Sequence, residues 1–180
     1  MGYTHYWDYH PELITDEKEL KNKFHDAVKK IKKCYSYLKK NPYAHEGVAG
    51  GYYDESHCKI RGGMGTGLPV FKEDEILFNG DAKQYLDHES FFLTWNNKDG
   101  ERDVWGFCKT ARKPYDILVC MSLIALEESF NDPKVFSYSS DGDESEWQGS
   151  RDLYREIFSD KALSKKVKNN RKKVLLKEPI

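Results

Sequence analysis

No stretch of the 180 residues is apolar for the roughly 20 positions that a membrane-crossing helix needs. The opening Met1-Gly2-Tyr3-Thr4-His5-Tyr6-Trp7 lacks both a basic segment and an apolar core, so no secretory signal is expected. Tyr6 stands where a myristoylation signal needs Ser or Thr. The four cysteines (Cys34, Cys58, Cys108 and Cys120) include no CxxC pair. Zinc sites draw on closely spaced ligand pairs, so no metal is expected, and the thiols read as buried and free in a reducing cytosol. There is no GxSxG, no HExxH and no GxxxxGK[ST], and no segment repeats at a period of 20–50 residues. These absences remove the motif-borne hydrolase, protease and P-loop classes and leave no cofactor signature.

What is present is charge and aromatic surface. Charged residues make up 33% of the chain, and nine Phe, twelve Tyr and four Trp supply enough apolar area for a core. The 29 basic and 30 acidic residues are unevenly placed. Residues 161–180 hold eight basic residues and one acid, so residues 1–160 hold 21 basic and 29 acidic. An acidic body argues against a nucleic-acid binder, whose affinity comes mainly from Lys and Arg. The expected organisation is one domain over residues 1–160 followed by a basic tail over 161–180.

Hydrophobic spacing then sets the elements. Residues 2–9 alternate, with Tyr3, His5, Trp7 and Tyr9 on one face and Thr4, Tyr6 and Asp8 on the other, which predicts a strand. Leu20, Phe24, Ala27, Val28, Ile31, Cys34, Tyr35 and Leu38 recur at steps of three and four, predicting a long helix from Asp16 to Lys40 with Thr15 as its cap. Short strands are expected at Val48–Tyr53 and Cys58–Arg61, and clearer ones at Glu75–Asn79, Ser90–Trp95 and Val104–Lys109. The run Asn96-Asn97-Lys98-Asp99-Gly100 has turn chemistry that would join the last two as a hairpin. Pro114 suits the first turn of a helix over Asp116–Phe130, apolar all round and therefore central. A strand at Val135–Tyr138 and a helix at Glu144–Phe158 complete an α+β fold: a mostly antiparallel sheet, a long N-terminal helix, a buried central helix and a C-terminal helix.

One segment opposes its neighbour electrostatically. Lys109, Arg112 and Lys113 precede the N-terminus of the central helix, which itself carries about half a positive charge. Something negative should sit there. It is either a bound anion, gripped by these cations, the Thr110 hydroxyl and free helix N–H groups, or a carboxylate of Asp141, Asp143, Glu144 or Glu146. The aromatic face Tyr3, His5, Trp7 could stack a base, although such a face is more often core. With Asn79 in the turn Asn79-Gly80, the candidate ligand-binding set is Tyr3, His5, Trp7, Asn79, Lys109, Thr110, Arg112 and Lys113. Gly62-Gly63-Met64-Gly65-Thr66-Gly67 lacks the GxGxxG spacing and reads as a loop able to close over a ligand. His88 and Glu89, or His5, are the available acid/base groups. Asp141-Gly142-Asp143-Glu144 misses the sixth-position glycine and twelfth-position glutamate of a calcium loop, and capping explains it more simply.

Several of these segments together resemble a family of uncharacterised bacteriophage and prophage proteins. They are Met1–Trp7, Ile76-Leu77-Phe78-Asn79-Gly80, His88-Glu89-Ser90-Phe91, Phe107 through Asp116, and Ser139-Ser140-Asp141-Gly142-Asp143 leading to Trp147. The likeness ends near Phe158 and leaves the tail outside. It brings no assigned activity; it implies a viral accessory protein acting in the bacterial cytoplasm. On that expectation the chain sequesters a phosphate-bearing small molecule such as a nucleotide immune signal. The alternatives are a nucleotide-directed hydrolase or transferase, and an acidic inhibitor of a host defence protein. Homo-oligomers are compatible with each.

Overall fold

The structure, a computed structural model, describes residues 2–47, 53, 55–96 and 105–159. Within them the chain is α+β, with three helices and two small antiparallel sheets. Strand β1 (Thr4–Tyr9) is followed by helix α1 (Glu17–Lys40). The cap of α1 is Asp16 rather than Thr15: its carboxylate accepts from the backbone N–H groups of Lys18 and Glu19, so one charged side chain satisfies two donors the helix leaves open. Seven apolar side chains of α1, from Leu20 to Leu38, are buried on one face as their spacing predicts.

Strands β2 (Val70–Phe71), β3 (Glu75–Phe78) and β4 (Phe91–Thr94) form one sheet in that order. Strand β5 (Trp105–Lys109) does not return along β4. It joins β1 instead, and β6 (Phe136–Ser140) lies on the other side of β1, giving the order β5-β1-β6. The expected β4–β5 hairpin is therefore wrong, although its turn residues 97–100 lie outside the described residues. Pairing with β1 places Gly106 beneath Trp7 and buries Cys108 opposite His5. The Val48–Tyr53 strand also falls largely outside the described residues. Cys58–Arg61 is not a strand, and only Arg61 pairs, with Asn79.

Helix α2 (Asp116–Phe130) is buried along almost its whole length, as an all-round apolar sequence requires, and packs against α1, β6 and helix α3 (Glu144–Phe158). Its cap residue is Tyr115, so Pro114 lies just outside the helix instead of in its first turn. Asn131 in the left-handed conformation ends it. α3 starts with a capping box, Asp143 and Glu146 each accepting from the other's backbone N–H. The two sheets meet through an aromatic seam. Trp7 packs on Phe91 (ring centroids 5.0 Å apart), Phe91 on Phe78 (5.1 Å), Phe78 on Phe71 (5.9 Å) and Phe71 on Tyr35 of α1 (5.2 Å). Each such ring contributes about 1.5–3 kcal/mol when fully withdrawn from water. No helix among the described residues is long and apolar enough to cross a membrane.

Candidate functional site

The basic loop after β5 resolves its own charge conflict. Ala111 and Arg112 both take left-handed backbone angles, φ 51° and 58°, which swings the loop tightly around the end of β1. Both Thr110 and Ala111 donate their backbone N–H to the Tyr3 carbonyl. Arg112 then pairs with Glu146 of the α3 capping box and lies over the Tyr3 ring, 4.0 Å from its centroid. The Glu146 hydrogen bond holds its guanidinium above its ordinary pKa. Lys113 donates to the carbonyls of Tyr85 and Asp87. At the positive pole of α2 the negative group is the chain's own Asp116, buried in the first turn. Two of the three cations are thus engaged internally. Lys109 is the exception: its backbone N–H is held by Glu89, but its ammonium has no carboxylate within 4 Å among the described residues.

The inner face of β1 is committed just as fully. Tyr3, His5, Trp7 and Tyr9 are all buried, His5 completely. Their strand faces the core because the alternate face would have put three large rings and an imidazole into water. Tyr3, His5 and Trp7 therefore serve packing, and the expectation that they offer a stacking surface does not hold. His5 sits edge-on to Tyr3 and Trp147 at 5.0 and 5.2 Å. Its Nε2 lies 2.7 Å from Asp116 Oδ1, which assigns the proton to Nε2 and leaves Nδ1 buried without a partner. Thr110 Oγ1 donates to the same carboxylate oxygen, and Cys120 Sγ lies 3.7 Å from Oδ2 and 3.8 Å from His5 Nε2.

This Cys–His–Asp group resembles a nucleophilic triad in composition only. One imidazole nitrogen faces both the thiol and the carboxylate, so the ring cannot relay a proton between them. Burial, reinforced by the Asp116 charge, pushes the Cys120 thiol well above its ordinary value. His5 Nε2, an Asp116 oxygen and Cys120 Sγ are also the one described trio close enough to ligate a metal. The 2.7 Å nitrogen–oxygen approach is a hydrogen bond, and Thr110 already occupies that oxygen, so the donor set fits a polar core cluster better than a metal. Its work is to tie β1 and the basic loop to the N-terminus of α2.

The other candidates are likewise occupied. Asn79 spends its amide on His88 O and Ser90 Oγ and its carbonyl on the N–H groups of Gly80 and His88, fastening the end of β3 to the approach to β4. Glu89 uses one carboxylate oxygen to accept the Lys109 N–H. His88 and Glu89 are thus not joined as an acid/base pair by any hydrogen bond between their side chains. Residues 63–65 of the glycine segment form a single 3-10 turn packed on Ala82 and Asp87. All four cysteines are free and buried, and burial raises the Cys58 thiol to about 12.

What remains open is the outer face of β5 and β1. Register pairs Lys109 with Thr4, Phe107 with Tyr6 and Trp105 with Asp8. Trp105 and Phe107 are 51% and 47% exposed, while Trp7, Trp95 and Trp147 are all buried. Tyr6 stacks on Trp105 at 5.8 Å, and Trp105 meets Phe107 at 5.1 Å, so three rings form one ladder. Lys109 stands at one end of it and Asp8 at the other. Sequence reasoning noticed the outward positions of β1 but assigned the stacking role to the inward ones. The alternation Trp105, Phe107, Lys109 was the available signal. Comparison of the chain with protein-family models, curated proteins and solved structures finds no match in any of the three.

Proposed function

We propose that this protein is a phage or prophage accessory protein that binds and sequesters a phosphate-bearing small molecule, a nucleotide immune signal, in the bacterial cytoplasm without turning it over. The observation that carries the reading is the exposed ladder Tyr6–Trp105–Phe107 ending at Lys109, whose ammonium meets no carboxylate among the described residues. Aromatic rings held half in water forgo burial that a core would reward, and contiguous exposed apolar surface marks contact sites. Stacking a base on such a ring contributes about 1–3 kcal/mol. A lysine on the same face, four residues along the strand, supplies the cation a phosphate needs.

The reading is non-catalytic because the nucleophile-like groups are sealed. His5 and Cys120 are buried and hydrogen-bonded with each other and with Asp116. The test is to incubate the protein with a panel of linear and cyclic nucleotides, remove free ligand, denature with heat and chromatograph the supernatant. Recovery of an intact nucleotide supports sequestration. A chemically altered one replaces it with enzymatic turnover. Failure to retain any nucleotide, with capture of a host defence protein instead, returns the acidic-inhibitor alternative.

A further inference from the structure

The ladder has polarity, and polarity constrains what can lie on it. Asp8 projects from the same face as Tyr6, is exposed, and makes no hydrogen bond or ion pair through its carboxylate with a described residue. Lys109 stands at the opposite end. From Trp105 to Lys109 the strand advances about 13 Å at 3.3–3.4 Å per residue, a span that a nucleoside diphosphate covers. On the far side of β1, Asp8 and Tyr6 are paired with Ser137 and Ser139, which carry small side chains. Asp141, near the Thr4 end, is spent: its Oδ2 accepts the Thr4 N–H at 2.9 Å and its Oδ1 the Tyr6 hydroxyl at 3.2 Å.

We infer that the ladder selects a guanine nucleotide, its base stacked on Trp105 with the N1–H and 2-amino group on Asp8 and its phosphates at Lys109. The inference rests on the nucleotide reading above and adds the base and the orientation. An ionised carboxylate only accepts hydrogen bonds. Guanine presents two adjacent donors on one edge, matching its two oxygens. Adenine sets a lone pair beside its amino group, and uracil flanks its single N–H with two carbonyls, so each directs an acceptor at the negative charge. Asp8 also repels phosphate, but the Asp141 and Glu89 carboxylates near the other end do so too, so the ligand's direction rests on the match of Asp8 to the base edge and on the Lys109 ammonium.

The experiment titrates GDP, IDP and ADP into the full chain and into Asp8→Ala at one ionic strength, reading Trp105 emission. IDP is GDP without the 2-amino group. The wild type should bind GDP about tenfold or more tighter than IDP, the worth of one charge-assisted hydrogen bond. Asp8→Ala should bind the two equally and keep its melting temperature, since Asp8 is exposed and unpaired. Equal wild-type affinity for GDP and IDP, or a preference that survives Asp8→Ala, overturns the guanine assignment and leaves nucleotide binding standing. Absence of binding by all three, with Trp105 emission unchanged, overturns the nucleotide reading and this inference together.

Discussion

The inward and outward faces of β1 are separated by a single residue step, and they are built on opposite principles. Inward, the side chains bind one another: His5, Thr110 and Cys120 converge on Asp116, and Arg112 closes the loop onto Glu146, with His5 Nδ1 left buried and unpartnered among the described residues. Outward, the Asp8 carboxylate and the Lys109 ammonium have no ion-pair partner among the described residues, and two large rings stay half in water. On the proposed reading, stability and binding are divided between the two sides of one strand. Buried polar groups must be satisfied from within the fold, whereas exposed ones are free to be satisfied by a ligand.

The sharpest way to break the inward side is Asp116→Ala. It strips the shared acceptor from His5, Thr110 and Cys120 at once and should cost about 3–5 kcal/mol. That corresponds to a melting temperature lower by roughly 6–20 °C for a domain of this size, read by calorimetry. A loss of a degree or two would show the cluster to be incidental. Gly106→Ala comes next. Gly106 lies between Trp105 and Phe107 in sequence but points inward, and a Cβ there would land inside the Trp7 indole. Overpacking of this kind costs about 1–3 kcal/mol, so a substitution between the two exposed rings should be felt as lost stability.

Trp105→Ala makes the opposite separation. Nucleotide affinity should fall by about one stacking contact, 1–3 kcal/mol or roughly 5- to 150-fold. The melting temperature should move only as far as an exposed cross-strand pair allows, 0.2–1 kcal/mol. Arg112→Ala and Lys109→Ala form the smallest and most diagnostic pair. Arg112 is only partly buried, so losing its ion pair should cost about 1 kcal/mol or less and leave nucleotide affinity intact. Lys109→Ala should weaken nucleotide binding most at low salt and little at high salt, with stability unchanged. If Arg112→Ala removed binding while Lys109→Ala did not, the assignment of the two cations would be reversed.

Much of the fold was legible because its signals are local. The three-and-four spacing from Leu20 to Leu38 gave α1 to within a residue, and the unbroken apolar run after Pro114 gave α2 and its central place. The strand partners were not legible. Turn chemistry at Asn96–Gly100 pointed to a β4–β5 hairpin, but pairing is decided by which face a strand must bury, and Cys108 and Gly106 bury theirs on β1. The site suffered from the same non-locality. The charge conflict at Lys109–Lys113 was visible in the sequence, as was Glu146 among the carboxylates able to resolve it. Asp116, lying within the helix that created the conflict, was not recognised as part of the answer. The exposed aromatic rings were not foreseen on the outer face, since Tyr3, His5 and Trp7 outweigh Tyr6 in aromatic content until β5 is known to add Trp105 and Phe107 beside it.

Intrinsic tryptophan emission offers the most direct test, because three of the four indoles are buried and Trp105 alone reports from the open face. Titrating GDP into the wild type should quench that emission saturably, and Trp105→Ala, folded by its melting curve, should lose both the signal and most of the retained nucleotide. Undiminished nucleotide retention by Trp105→Ala would contradict the division of labour between the two faces of β1.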